Sequence, residues 1–384
     1  MAVNSIYLDN NATTHILPEV VAAMQECYTA DLANPASQHA QGRRARQMLE
    51  DARERIAELV GAKTSGTDRD AIIFTSGATE ANNLAVSGFA NLSPRFGAIS
   101  AIEHPSVLTM CEELVRRGKE IETLSATPNG VVSLQAVHQA VDRNASWLSV
   151  MAVNHETGVI QPVGEIAKIC ADRGILFHCD AVQSIGKCPL HFNDSAFSSM
   201  SISAHKFHGP PGIGALVVHR NVRLTPLMFG GAQQFGMRPG TECLALIVGM
   251  RVALEAANVE KTLQAQAMEK LRCRFEKALL DGLNNVLVIG EDSPRAPHTT
   301  NVSFRGLDRQ AILMALDLAK VACSAGSACA SGASEPSPVL RAMQLKKEIV
   351  KSSLRFSLSR FSTASQIDQA AERIISAIRS LQRS

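Results

Sequence analysis

No apolar run in this chain of 384 residues approaches the roughly 18 to 20 residues that a membrane span requires, so no membrane helix is expected. The stretch Met1 to Thr14 has neither a basic nor an apolar segment and carries Asp9, so no secretory signal is expected either. Charge of one sign is also scarce in excess. The 38 Lys and Arg against 36 Asp and Glu leave a net charge of +2, which argues against a dedicated binder of nucleic acid or of a membrane surface. The nine cysteines are odd in number and lack paired short spacings. They point to buried thiols in a reducing cytoplasm and away from a disulfide framework. Phe74 to Asn83 has a single glycine, so no G-x-G-x-x-G dinucleotide fingerprint is present, and no G-x-x-x-x-G-K-[ST] exists for a nucleoside triphosphate. His205 and His208 have a spacing used by some metal sites, but no Cys/His set completes a tetrahedron, so no metal is expected. There is no internal repeat and no low-complexity tail.

What is present is an ordinary globular composition, 46% hydrophobic and 19% charged, long enough for a large core and two domains. Tyr7 to Thr14 reads as a short strand and a polar turn, and Pro18 opens a helix. Gly42 to Leu59 has helical apolar spacing. From Ala71 onward, strands alternate with helices: strands at 71–74, 98–102, 121–125, 147–153, 175–177, 199–203 and 213–218, with helices between most of them. Such alternation predicts an α/β fold with a mostly parallel sheet and helices on both faces. Leu244 to Leu280 reads as one long helical stretch, followed by strands at 301–304 and 354–358 and a last helix at 364–381. The expected division is a large domain over 15–255 and a smaller α+β domain made of 1–14 and 256–384.

The stretch Ser201 to Gly214 runs from an alternating strand into His205-Lys206 and a Pro/Gly turn, then into a second apolar strand. It delivers Lys206 to the tip of a buried strand. Desolvation there disfavours the ammonium form and favours a nucleophilic amine, able to form a Schiff base with an aldehyde cofactor. Taken alone, the stretch fits a surface lysine in a hairpin better, and only the rest of the chain changes that reading.

In open α/β sheets, ligands bind beyond the carboxyl ends of the strands. Five expected strands end in groups able to do chemistry. Thr75-Ser76-Gly77-Ala78-Thr79 opens a helix and offers amides and a favourable dipole to a phosphate. The other four ends carry Glu103-His104, Asn154-His155-Glu156, Asp180 with Gln183 beyond it, and Ser203 with His205 and Lys206. Singly, these could be helix caps or loop amides. Jointly they supply a phosphate cradle, a flat ring, a carboxylate and an amine on one sheet edge, which is the set that pyridoxal phosphate asks for. The carboxylate would keep the ring nitrogen protonated, the imidazole would stack, and Asn154 or Gln183 would bond the phenolic oxygen.

A second centre is Cys323 to Pro338, almost all small residues, which predicts a mobile loop with Cys329 as an exposed thiol and Cys323 nearer to buried chain. Arg355, on an alternating strand, could clamp a carboxylate with two parallel hydrogen bonds, or make a structural salt bridge.

With Asn34-Pro35-Ala36-Ser37, Asp180-Ala181-Val182-Gln183, Ser203-Ala204-His205-Lys206, Gly326-Ser327-Ala328-Cys329 and Glu335-Pro336-Ser337, the chain resembles cysteine desulfurases of the NifS/IscS type. These are class-V aminotransferase relatives among the fold-type I pyridoxal-phosphate enzymes, and the resemblance runs from Tyr7 to about Phe361. It implies that Lys206 carries pyridoxal 5'-phosphate and moves protons, that Asp180 pairs with its ring nitrogen, and that His104 stacks and takes part in acid/base steps. It implies that Gln183 and Asn154 contact the cofactor oxygen, and that Ala78, Thr79, Ser203 and His205 hold the phosphate, with Thr241 reaching that of the neighbouring subunit in a homodimer. It further implies that Arg355 and Asn34 hold the carboxylate of L-cysteine and that Cys329 attacks its sulfur. The products would be alanine and an enzyme persulfide for a sulfur-acceptor protein such as an iron-sulfur scaffold, in the cytoplasm. The runners-up are a selenocysteine lyase or another enzyme of the same class, from which Cys329 separates it, and a cofactor-free scaffold, against which Lys206, Asp180 and His104 stand together. Three departures from the pattern are His155 where a second Asn is expected, Pro239 before Gly240-Thr241, and an end soon after Phe361 without the extension some members use on their scaffold. The last leaves the acceptor open.

Overall fold

In the computed structural model, the residues described are 5–64, 69–326 and 336–383. The chain opens with β1 (Ile6–Tyr7), α1 (Pro18–Thr29) and α2 (Ala40–Leu59). It continues through β2 (Ala71–Thr75), α3 (Ala78–Leu92), β3 (Gly97–Ser100), α4 (Pro105–Arg116), β4 (Ile121–Leu124), α5 (Leu134–Asp142), β5 (Trp147–Ser149), α6 (Val163–Asp172) and β6 (Leu176–Asp180). Then follow β7 (Ser199–Ser203), β8 (Gly214–Val218), α7 (Leu244–Asn258), α8 (Lys261–Gly282), β9 (Val286–Val288), β10 (Thr299–Phe304) and α9 (Arg309–Leu318). The last elements are β11 (Val321–Ala322), α10 (Pro338–Ala342), α11 (Lys347–Lys351), β12 (Ser353–Ser357) and α12 (Ala364–Leu381). No described helix is long and apolar enough to cross a membrane.

Seven strands form one sheet in the order β2-β8-β7-β6-β5-β3-β4. Only β8 runs against its neighbours; the pairs β7-β6, β6-β5, β5-β3 and β3-β4 are all parallel. Both faces are covered, as alternation along each strand shows. Ile72 and Phe74 of β2, Leu148 of β5 and Val217 of β8 belong to one apolar layer, with helices α1, α2 and α7. Ile73, Trp147 and Leu216, each next in sequence to one of those residues, belong to the opposite layer beneath α3 and α4. A strand's side-chain period of two divides one sequence between two cores.

A separate apolar cluster gathers Leu8, Phe275, Phe304, Phe356, Ile374 and Ile378 around a small antiparallel sheet, β12-β10-β9, and the parallel pair β1-β11. Helix α12 lies on it through Ile367, Ala371, Ile374 and Ile378. Its start is fixed by a capping box, in which Thr363 accepts from the Gln366 amide and the Gln366 side chain accepts from the Thr363 amide.

Four differences from the sequence expectation stand out. The single helical stretch over 244–280 is two helices, because Glu260 adopts a left-handed conformation (φ 49°) at the junction. The strand expected over 147–153 ends at Ser149, and the strand expected at 175–177 extends to Asp180. Strand β11 pairs with β1 across the whole length of the chain, a partnership that no local pattern announces.

Candidate active site

The carboxyl ends of β2, β6 and β7 meet the amino end of α3 around a cavity of about 500 Å³. Its wall includes nine of the residues singled out in the sequence: Ala78, Thr79, His104, Asp180, Gln183, Ser203, His205, Lys206 and Arg355.

Lys206 ends a short 3-10 turn that follows β7 directly. Its Nζ donates to the carbonyls of Asn11 at 2.5 Å and Ala12 at 2.8 Å, so the turn after β1 forms one side of the site. The Gln183 amide is oriented without ambiguity. The Asn11 carbonyl, which can only accept, takes a hydrogen bond from Gln183 Nε2 at 3.2 Å, and this leaves Gln183 Oε1 to accept from Lys187 Nζ at 3.2 Å. Burial, followed by the nearby Lys206, lowers Lys187 to about 7.

Asp180 closes β6, buried and doubly held. Oδ1 accepts from the Val182 amide at 3.0 Å and Oδ2 from Asn82 Nδ2 at 2.8 Å. The same Asn82 nitrogen donates to Ser106 Oγ at 2.8 Å, and Asn82 Oδ1 faces His178 Nε2 at 3.0 Å. Burial lowers His178 to about 4, so its ring is neutral and Nε2 carries the proton that Asn82 accepts. Ser106 in turn lies 2.8 Å from His104 Nδ1, which also accepts from the Ser106 amide. Burial lowers the His104 pKa, against Asp180, which raises it. The neutral ring therefore presents its N–H at Nε2. Asn82 was not singled out from the sequence; it sits one turn into α3, and only the packing of α3 on the sheet brings it to Asp180.

At the other end of the cavity, the first-turn amides of α3 have no intrahelical acceptors. Glu80 is pinned by Arg238 at 2.9 Å and accepts from the Ser76 amide at 2.7 Å, which fixes the turn before the helix. Gly214 of β8 packs directly under this turn: a Cβ there would lie 2.8 Å from the Gly77 carbonyl carbon and 2.7 Å from the Ile202 oxygen. His205 lies 3.2 Å from Thr13 Oγ1, and burial lowers its pKa to about 4.

Three expected residues are not on this wall. Asn154 is fully buried and its side chain is consumed by scaffold: Oδ1 accepts from the Glu156 and Thr157 amides, and Nδ2 donates to the Ile102 carbonyl. The backbone turns here, and it is His155 that faces the cavity, edge-on to His104 with ring centroids 5.2 Å apart. Asn34 is exposed and caps its own loop by accepting from the Ala36 amide. Thr241 is exposed and lies outside the chain's own cavity. Cys329 lies outside the described residues. Burial pushes the Cys323 thiol up to about 12, which leaves it a poor nucleophile.

Arg355 is buried on β12. Nη2 donates to Asp9 at 2.9 Å, and Nη1 to the carbonyls of His155 and Gly326 at 2.9 and 3.1 Å. Its Nε has no acceptor among the described residues. Among the described residues, three acceptors leave two of the five N–H groups of this buried guanidinium unused, on Nε and Nη2, which suits a carboxylate ligand.

Pyridoxal phosphate fits this wall on three counts: open helix amides for the phosphate, an oriented buried carboxylate for the ring nitrogen, and a lysine at the strand end between them. The fold and this lysine-centred cavity define an α/β enzyme of the aminotransferase class-V type. The chain matches the aminotransferase class-V family over residues 6–370 and belongs to it; the family is one of pyridoxal-phosphate enzymes. Cysteine desulfurases are among its curated relatives. That of Enterobacter agglomerans is 42% identical over 372 residues, covering 96% of this chain and 92% of its own length. The NifS-like protein from Rickettsia africae ESF-5 has a TM-score of 0.88 at 32% identity, covering 99% of this chain and 100% of the other. SspA, solved in complex with cysteine, has a TM-score of 0.81 at 33% identity, covering 94% and 100%.

Proposed function

We propose that this chain is a pyridoxal-phosphate-dependent cysteine desulfurase, which takes sulfur from L-cysteine and leaves L-alanine. The observation that carries the reading is the Asp180 carboxylate, locked by Asn82 and Val182, on the same sheet edge as the Lys206 amine and the open end of α3. When bound, the cofactor supplies an electron sink for the substrate's α-carbon.

The chain's own groups then divide the work. Amides of Ala78 and Thr79, with Ser203 and His205, hold the phosphate. Asp180 would keep the ring nitrogen protonated, and His104 would lie against the ring. Gln183 donates to the ring oxygen, and His155 takes the place first assigned to Asn154. Lys206 holds the cofactor and moves protons on the substrate. Arg355 binds the substrate carboxylate through the donors it has unused, on Nε and Nη2. Cys329, as thiolate, attacks the substrate sulfur: the S–S bond forms, the C–S bond breaks, and its electron pair stays with the carbon that becomes the methyl group of alanine.

The same reading includes a homodimer. Exposed Leu227, Met228 and Phe229, the last 86% exposed, precede Thr241 on one irregular segment, and a second copy would cover them and bring Thr241 to a partner's phosphate. The division into a large and a smaller domain is supported by the separate apolar clusters, with the boundary just past residue 255 at the end of α7, because Ala257 still packs in the large one. The sulfur acceptor is a protein, and the compartment is the cytoplasm. The test is L-cysteine turnover in excess dithiothreitol, which reduces an enzyme persulfide to thiol and sulfide, with alanine and sulfide quantified for the wild type and Lys206→Ala. Equal release by the wild type and none by the variant is expected. No alanine from the wild type, or undiminished alanine from the variant, overturns it. L-selenocysteine in a parallel arm decides between this activity and a selenocysteine lyase.

A further inference from the structure

Glu156 is a fully buried acid that the reaction described above does not use. Its Oε2 accepts from Ser337 Oγ at 2.6 Å. The same oxygen packs against Gly326: a Cβ built there would come within 2.6 Å of it, and the left-handed φ of 96° favours glycine in its own right. One carboxylate oxygen thus touches the last described residue before 327–335 and a residue just beyond that segment. Both contacts are reinforced. The Gly326 carbonyl accepts from Arg355, and Ser337 Oγ also caps α10 by accepting from the Leu340 amide at 3.0 Å. Glu156 itself is fixed at its carbonyl, which accepts from Asn301 Nδ2. Its other oxygen, Oε1, has no hydrogen-bond partner among the described residues and lies 3.7 Å from Nε2 of His155, on the cavity wall.

We propose that Glu156 is a positioning residue for sulfur transfer, holding the two ends of the Cys329 segment at fixed places beside the cavity. This rests on the desulfurase reading for the role of Cys329, but the anchoring itself does not. Cys329 lies three residues past Gly326 in the sequence, and three residues of chain reach at most about 11 Å. Gly326 is on the cavity wall, so its place sets the origin of that reach. Burial alone does not account for an acid here, because an apolar side chain would fill the space without desolvation. The carboxylate is retained where it can accept from Ser337 beside the glycine.

The test uses holoenzyme of Glu156→Ala, Glu156→Gln and Ser337→Ala, with three readouts. The first is the visible absorbance of the cofactor and its change on adding L-cysteine. The second is the rate of sulfur-adduct formation on Cys329 by rapid-quench mass spectrometry. The third is the alkylation rate of Cys329 by iodoacetamide, with exposed Cys243 and Cys273 as internal references. Glu156→Ala is expected to keep the absorbance change, lose about 100-fold in adduct rate, as a misplaced reacting group does, and alkylate faster at Cys329 only. Glu156→Gln, which can still accept from Ser337, should be largely rescued, and Ser337→Ala should fall between. Wild-type rates of both adduct formation and alkylation in Glu156→Ala and Ser337→Ala would overturn the proposal. So would loss of the absorbance change together with the adduct. If the wild type forms no adduct at all, the desulfurase reading fails, and the alkylation rates still decide whether Glu156 anchors the segment.

Discussion

Asn82 donates from one side-chain nitrogen to the Asp180 carboxylate at 2.8 Å, and with the other proton of that amide to Ser106, which fixes the His104 ring. One buried amide on α3 therefore orients both the group meant for the cofactor's ring nitrogen and the ring meant to lie against it. Asn82→Ala leaves His178 Nε2 without its acceptor and frees Asp180 on one side. A hydrogen bond to a charged group contributes about 1.5 to 3 kcal/mol, so cofactor affinity should fall by roughly 10-fold or more. Dissociation of the cofactor, followed by its visible absorbance, measures this. Unchanged affinity would mean that Val182 alone orients Asp180.

Glu156 gives a pH dependence of known sign. Burial raises its pKa from 4.5 to about 7, against Ser337, Arg355 and Arg309, which lower it. A carboxyl whose folded value is raised adds its stability in full below the unfolded value and loses it as pH rises through the folded value. Between pH 4.5 and somewhat above 7, the wild type should lose up to about 3 kcal/mol from this group. Glu156→Gln does not titrate, so its stability relative to the wild type should rise from pH 5 to pH 8 in denaturant unfolding. A constant difference would show that the carboxyl is already ionised at pH 5.

The turn before α3 depends on Gly214. Its substitution by Ala sets a methyl group 2.9 Å from Gly77 Cα, on backbone that cannot yield cheaply. Gly214→Ala should weaken phosphate-dependent cofactor binding without unfolding the sheet. Gly164→Ala, on helix α6 with no atom within 4 Å of the new methyl, is the control. It should be neutral or stabilising by up to about 1 kcal/mol. Equal cofactor retention by the two variants would contradict the role given to the turn.

Much of the fold was legible because it depends on local alternation. Ser199–Ser203 falls where its pattern put it, and Lys206 follows it onto the sheet edge. What was not legible depends on turns and on distant partners. Asn154 and His155 are adjacent, and which of them faces the cavity is decided by a turn closed by Asn154's own side chain, after β5 has already ended at Ser149. Asn82 is a helix residue whose importance appears only when α3 packs against β6, 98 residues away in sequence. The break at Glu260 gave no signal, because a left-handed glutamate carries no sequence mark of the kind glycine does.

The central claim, that Cys329 takes the sulfur of L-cysteine, is tested most directly by mass spectrometry of the holoenzyme after brief exposure to L-cysteine without reductant. A free cysteine has a pKa of about 8.5, so a few per cent is thiolate at neutral pH without help. The account predicts a sulfur adduct on Cys329, its absence in Cys329→Ser, and a mild effect of Cys323→Ser. An adduct confined to Cys323, or undiminished alanine release by Cys329→Ser, would contradict it.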